Sequence, residues 1–165
     1  MVIREIELDD AEQLTTLIQE VEAESEYMLM EPGERQVTPE QHRKRIQSMK
    51  NSRNSTILVA VDAGKLVGYM MVIGGSARRT THSAYLVVGI LKGYRGQGIG
   101  TKLFEKLDLW TAEHQIHRLE LTVVARNKAA VALYKKMGFE VEGTKRDSLV
   151  INGEYVDEYY MAKLL

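Results

Sequence analysis

The sequence contains no cysteine, which excludes disulfide bonds, thiolate metal sites and a covalent cysteine nucleophile. It also lacks an excess of charge of one sign: the formal net charge is -1, so no global basic surface favours nucleic acid as a partner. No segment approaches the roughly 20 apolar residues that cross a bilayer, and the opening "MVIREIELDD" lacks the apolar core of a signal peptide. The four histidines show no metal-ligand spacing. We therefore expect a soluble cytoplasmic protein with no metal and no membrane or nucleic-acid partner.

The chain is long enough for one well-packed domain, since it has 165 residues of which 44% are hydrophobic. We expect a single domain over residues 1–165. Hydrophobic periodicity predicts a strand, two helices, three strands, a helix, a strand, a short helix and two final strands, in that order. Without repeats or a linker, this order indicates an α/β fold.

Capping and turn residues mark the ends of several predicted elements. Asp9 with Glu12, and Thr38 with Gln41, have the spacing of capping boxes at the starts of the first two helices. Turns are predicted at 63–64 and at 152–153, each with a glycine in second place. Gly138 is predicted to end the short helix in a left-handed conformation.

The stretch "GYRGQGIGTKLFEKL", residues 93–107, has four glycines in eight residues and continues into a helical pattern. Such freedom at a helix start suggests that a ligand approaches the main chain closely. Unpaired N–H groups and the positive end of the helix dipole make a phosphate the leading candidate.

Spacing separates the phosphate-binding motifs that compete for this stretch. The P-loop pattern fails because Ile99 follows Gly98 where that motif needs lysine. The dinucleotide fingerprint fails because Thr101 stands where its third glycine belongs. A tight turn alone does not require three alternating glycines. The pattern that remains is R-x-x-G-x-G, from Arg95 to Gly100.

This pattern, together with "ARNKAAVALYKKMGFEVEG" further along the chain, resembles the GCN5-related N-acetyltransferase (GNAT) family. The resemblance includes the strand before the loop, the helix after it and the next strand. It implies a mixed, largely antiparallel sheet of about seven strands with four flanking helices, split at a cleft for acetyl-CoA. The pantetheine arm would pair there with exposed backbone as a pseudo-strand.

The resemblance also implies which residues contact acetyl-CoA. The loop would hold the pyrophosphate, and the strand before it would offer an N–H group to the thioester carbonyl. Gly89 inside that strand suggests a β-bulge that turns an amide towards the ligand. Asn127 and Ala130 would lie beside the pantetheine arm. The full predicted set is Val88, Gly89, Ile90, Arg95, Gly96, Gln97, Gly98, Ile99, Gly100, Asn127, Ala130 and Tyr134.

Tyr134 is the predicted general acid, because a phenol can donate a hydrogen bond or a proton to the departing thiolate. A core role for Tyr134 and a plain helix cap for Asn127 are the structural alternatives. The attacking ammonium must first lose a proton, and Glu120 is the candidate base; an exposed strand position, or water as the base, is equally compatible with the pattern.

The predicted activity is direct acetyl transfer to a primary amine of a small cation, such as a polyamine, an amino sugar or an amino-acid derivative. The acidic stretch from Glu20 to Glu34 suggests where the acceptor binds, with Tyr27, Glu31 and Glu34 as candidate contacts. A solvated helix end is the alternative for those charges. There are two alternative functions. One is an N-terminal protein acetylase, since the C-terminal stretch resembles ribosomal-protein acetylases, and the other is a non-catalytic acyl-CoA-binding module. The family makes a homodimer plausible.

Overall fold

A computed structural model describes residues 1–165. Seven strands form one sheet, and four α-helices flank it; no helix is both long enough and apolar enough to span a membrane. The strands are β1 (Val2–Glu5), β2 (Thr56–Asp62), β3 (Lys65–Gly74), β4 (Ser83–Ile90), β5 (Arg118–Val124), β6 (Glu140–Ile151) and β7 (Glu154–Leu164). The helices are α1 (Ala11–Glu24), α2 (Pro39–Lys50), α3 (Ile99–His114) and α4 (Lys128–Lys136).

The strands lie in the order β1-β2-β3-β4-β5-β7-β6, and every neighbouring pair is antiparallel except β4 and β5. A parallel pair needs a crossover, and α3 supplies it. The predicted α/β class and the mixed, largely antiparallel sheet are confirmed.

Alternating residues divide the sheet into two faces. Ile90 lies towards α3 and α4, since its side chain and that of Leu133 are both close to Gly100. Tyr69 lies on the opposite face, where the charge of Glu22 from α1 affects its ionisation. The core therefore forms two layers, one under α1 and α2 and the other under α3.

The start of α1 differs from the prediction. A single 3₁₀ turn over Leu8–Asp10 precedes the helix, and its capping box joins Glu7 to Asp10 rather than Asp9 to Glu12. Arg4 holds the Asp10 carboxylate through two hydrogen bonds of 2.7 and 3.0 Å, and this carboxylate accepts the Glu7 N–H at 2.8 Å. Tertiary pairing with β1, which local spacing does not reveal, thus decides the cap.

The other predicted ends are confirmed. Thr38 and Gln41 form the capping box of α2. The 63–64 and 152–153 turns have positive φ at both positions. Gly138 has φ +96°, and the Phe139 N–H bonds the Tyr134 carbonyl at 2.9 Å, as in a glycine-ended helix.

Candidate active site

The two central strands of the sheet separate after a short stretch of pairing. Strands β4 and β5 pair only from Ser83 to Tyr85 and from Arg118 to Glu120. Beyond that point the remaining residues of β4 have no strand partner on this side. The split predicted between these strands is therefore present in the structure.

The polar groups of β4 alternate between its two neighbours. The Leu91 N–H donates to the Val67 carbonyl, and the Ser83 carbonyl accepts the Gly75 N–H. The backbone N–H and C=O groups of odd-numbered residues therefore point towards β3. Even-numbered Val88 and Ile90 consequently direct their N–H and C=O groups into the split. Both were predicted to contact the cofactor, and their backbones lie where an extended arm could pair.

Gly89 does not form the predicted bulge. The register between β3 and β4 is continuous, and Gly89 pairs directly with Tyr69. A Cβ on Gly89 would lie 2.5 Å from the Tyr69 ring, so glycine is required here by an aromatic ring packed on the strand. A glycine inside a strand indicates a close approach as well as a bulge, and here the close approach is the reason.

The glycine loop presents a row of free backbone donors. The N–H groups from Gly96 to Thr101 donate to no protein acceptor, and the first helical bond of α3 is from Lys102 to the Gly98 carbonyl. Gly96 and Gly98 have φ of +74° and +81°, and a Cβ on either would meet only open space. Free donors at the start of a 16-residue helix are chemically suited to bind an anion.

The other residues of the loop fix its shape. Arg95 donates from Nε to the Ile90 carbonyl at 3.3 Å, and Gln97 donates to the Gly93 carbonyl at 3.1 Å. Ile99 directs its side chain into the core. Gly100 has a packing role, because a Cβ there would lie 2.7 Å from a Leu133 methyl group of α4.

Helix α4 packs beside the glycine loop, since its Leu133 lies next to Gly100. Asn127 caps the helix by accepting the Ala130 N–H at 3.3 Å, and its side-chain NH₂ group has no protein partner. The capping role is therefore confirmed, and the NH₂ group stays free for a ligand. Tyr134 lies two turns along and packs edge-on against Phe104, with ring centroids 5.8 Å apart.

Burial raises the pKa of the Tyr134 phenol to about 12, and the nearby Tyr85 adds to the shift. The phenol therefore stays protonated at neutral pH, and its hydroxyl has no hydrogen-bond partner in the protein. It can donate to a ligand in the split.

Glu120 lies at the point where the strands separate, beside Tyr85 on the face of Tyr69. Its carboxylate accepts the Arg118 Nε–H at 2.9 Å, while the two Nη groups of Arg118 hold Glu142 at 3.0 and 2.6 Å. These partners raise the pKa of Arg118, and Arg118 lowers the pKa of Glu142. A base at Glu120 would thus act from within an ion pair.

Two residues that sequence reasoning missed lie at the same point. The Tyr85 hydroxyl and Thr122 Oγ1 are 2.8 Å apart and join β4 to β5 just past their last backbone pair. The sequence pattern that could have indicated them is the alternation of polar and buried residues along β4 and β5.

The acidic stretch is divided among several environments. Glu22 is buried and bonds Arg35 at 2.9 Å, whereas the Glu24 carboxylate accepts the Lys92 N–H at 2.6 Å. Tyr27 is half-buried. Glu31 and Glu34 are exposed and close a turn on each other. No cluster of three or more His, Asp or Glu side chains could hold a metal ion.

Comparison with known proteins identifies the family. The acetyltransferase (GNAT) family profile matches residues 17–139. The L-amino acid N-acetyltransferase AaaT of Escherichia coli is 35% identical over 111 residues, which are 65% of this chain and 67% of that protein.

Solved structures agree in fold. A GNAT-family acetyltransferase from Streptococcus pneumoniae is 32% identical with a TM-score of 0.95, over 99% of this chain and 98% of that one. A ribosomal-protein-alanine N-acetyltransferase from Brucella melitensis is 26% identical with a TM-score of 0.86, over 100% of both chains. The yncA protein of Salmonella typhimurium, solved with acetyl-CoA, shares the fold at 19% identity and a TM-score of 0.88, over 99% and 93%. The chain belongs to the GNAT family and is an N-acetyltransferase.

Proposed function

We propose that this enzyme transfers the acetyl group of acetyl-CoA directly to the primary amine of a small molecule. The observation that supports this most is the free row of N–H groups from Gly96 to Thr101, beside a split sheet and with Tyr134 on the adjacent helix α4. The row suits the pyrophosphate, and the unpaired backbone of β4 suits the pantetheine arm. The absence of cysteine supports direct transfer.

In the proposed reaction the amine nitrogen bonds to the thioester carbon, and the carbon–sulfur bond then breaks. Charge on the carbonyl oxygen would be stabilised by an inward N–H of β4, for which Val88 is the candidate. Charge then moves to sulfur, where the Tyr134 hydroxyl donates a hydrogen bond. Because the pKa of Tyr134, about 12, exceeds that of a thiol, about 8.5, the phenol assists chiefly as a donor.

The proton lost by the ammonium goes to a base, and Glu120 is the proposed group, directly or through water. Its carboxylate lies 2.9 Å from the Arg118 Nε, so a substrate proton would compete with this ion pair. A Glu120→Gln variant should therefore lose activity most at lower pH, where fewer amine molecules are already neutral. Unchanged activity at every pH would assign the proton to water alone.

The acceptor is proposed to be a small cation: a polyamine, an amino sugar or an amino-acid derivative. Similarity to the E. coli L-amino acid acetyltransferase supports the last of these. Tyr27, Glu31 and Glu34 remain proposed contacts. Similarity to the Brucella ribosomal-protein-alanine acetyltransferase favours the alternative, a protein N-terminus. A homodimer also remains a proposal, which sedimentation would test.

Thiol release from acetyl-CoA, measured with each acceptor class, tests the proposal. We expect turnover with small amines and not with N-terminal peptides. Turnover of peptides alone, unchanged when Glu31 and Glu34 are made glutamine, would overturn the small-molecule assignment. Tight acetyl-CoA binding without turnover of any amine would instead indicate the acyl-CoA-binding module.

A further inference from the structure

A polar cavity of about 380 Å³ lies between α1 and the segment that joins it to α2. Only one hydrophobic residue lines it. Its charged residues are Glu22 and Arg35, which bond each other. The volume suits a small molecule with several polar groups.

Within this cavity the Arg35 guanidinium is held by one edge only. Its Nε donates to both oxygens of buried Glu22, at 3.1 and 2.9 Å, and neither Nη group has a protein acceptor. Glu22 is only 3% exposed, so the Arg35 guanidinium is held by a carboxylate that is buried in the protein. The two Nη groups therefore have no protein partner, and the Arg35 side chain is 31% exposed.

The same chain shows what such an edge does when it is occupied. Arg118 also gives its Nε to one carboxylate, that of Glu120, and its two Nη groups bind a second carboxylate, that of Glu142, in a fork. A planar guanidinium matches a carboxylate in this way, whereas an ammonium does not. Arg35 repeats the first half of this arrangement.

The cavity lies on the face of the sheet that α1 covers, the same face as Tyr69. The charges of Glu22 and Arg35 both act on the Tyr69 phenol, and the outer atoms of the Tyr69 ring cover Gly89 of β4. Gly89 lies between the two β4 residues whose backbones face the split. Tyr69 thus lies against the strand beside the proposed acetyl group and within electrostatic reach of Glu22 and Arg35.

We propose that the Nη edge of Arg35 binds a carboxylate of the acceptor, which makes the substrate an amino acid. This assignment rests on the proposed function and specifies its acceptor. A polyamine or an amino sugar has no such group, and a peptide N-terminus has its α-carboxylate converted into an amide. Arg35 consequently selects free amino acids over all three.

Matched acceptors test this selection directly. One amino acid, its amide and a dipeptide that begins with it present similar amines but differ in the carboxylate. We expect wild-type kcat/KM to favour the free acid over its amide by roughly 10- to 150-fold, the range for hydrogen bonds to a charged group. Arg35→Gln should remove that preference by raising KM for the acid, with little effect on the amide.

Three further variants separate recognition from folding. Glu22 loses its cation in Arg35→Gln, so the double variant Glu22→Gln/Arg35→Gln keeps the buried site uncharged and should behave like the single one. Arg35→Lys should recover only part of the preference because a lysine cannot form the fork. Arg43→Gln, on the exposed side of α2, is the matched control and should retain the preference.

A series of linear amino acids, with one to five carbons between amine and carboxylate, measures the distance from Arg35 to the acetyl carbon. An Arg35-dependent optimum at any length supports the proposal. Equal turnover of acids and amides, a preference that survives Arg35→Gln, or no turnover of any carboxylated amine overturns it. Acetyl-CoA binding, measured on the same samples, distinguishes these results from failure of the proposed function, in which binding itself would be absent.

Discussion

Replacing Tyr134 with phenylalanine tests the chemistry of the split most directly. The ring packs edge-on against Phe104 at 5.8 Å and lies 6.2 Å from Phe139, and phenylalanine keeps both contacts. The hydroxyl bonds nothing in the protein, so its removal leaves no orphaned partner. We therefore expect the free energy of unfolding to change by less than about 1 kcal/mol.

The effect on catalysis should be much larger. A hydrogen bond to a charged group contributes about 1.5–3 kcal/mol, and general-acid help reaches larger factors. We expect kcat to fall by roughly 10- to 1000-fold, with acetyl-CoA affinity nearly unchanged. Because the pKa of Tyr134 is raised to about 12, ionisation of this phenol should cause no alkaline loss of wild-type activity below about pH 10.

Thiol release under saturating acetyl-CoA measures kcat, and calorimetric titration measures the affinity. Tyr155→Phe, which removes a hydroxyl from a side chain on exposed β7, is the control and should leave both unchanged. Wild-type turnover in Tyr134→Phe would show that the tyrosine only packs. A parallel loss of affinity and rate would place it in ground-state binding.

Three other outcomes follow from the structure. Gly98→Val should abolish acetyl-CoA binding, since Gly98 has φ +81° and its Cβ would occupy the proposed phosphate site. Gly93→Ala is the control and should preserve binding. Unchanged affinity in folded Gly98→Val, measured by titration, would disprove the site. Gly89→Ala should destabilise the fold by about 1–3 kcal/mol in urea unfolding, because its Cβ overlaps the Tyr69 ring; an unaffected midpoint would contradict this. Burial and the charges of two nearby arginines lower the pKa of His42 in the folded state. As the pH falls, His42 is therefore protonated in the unfolded state before it is protonated in the folded state. The free energy of unfolding should fall as pH drops below about 6.5. His42→Asn should weaken this fall in thermal melts between pH 7 and 5, and an identical slope would exclude His42 as its source.

The sequence determined the parts of this protein that depend on neighbours along the chain. Periodicity located the helices and strands, and local capping fixed the start of α2 at Thr38 and the end of α4 at Gly138. The glycine loop and the segment around Asn127 indicated the family, because the backbone conformation of such a loop depends on residue types a few positions apart. The order of elements was sufficient for the α/β class.

The tertiary structure decided what depends on residues distant in sequence. Gly89 is a glycine because Tyr69 crosses it from the neighbouring strand, and no local pattern distinguishes that from a bulge. The cap of α1 is Asp10 because Arg4 reaches it from β1. Arg35 became a candidate only once the fold showed that buried Glu22 holds its Nε and leaves its Nη groups free. Strand register and side-chain direction set these contacts, and both arise when the sheet assembles.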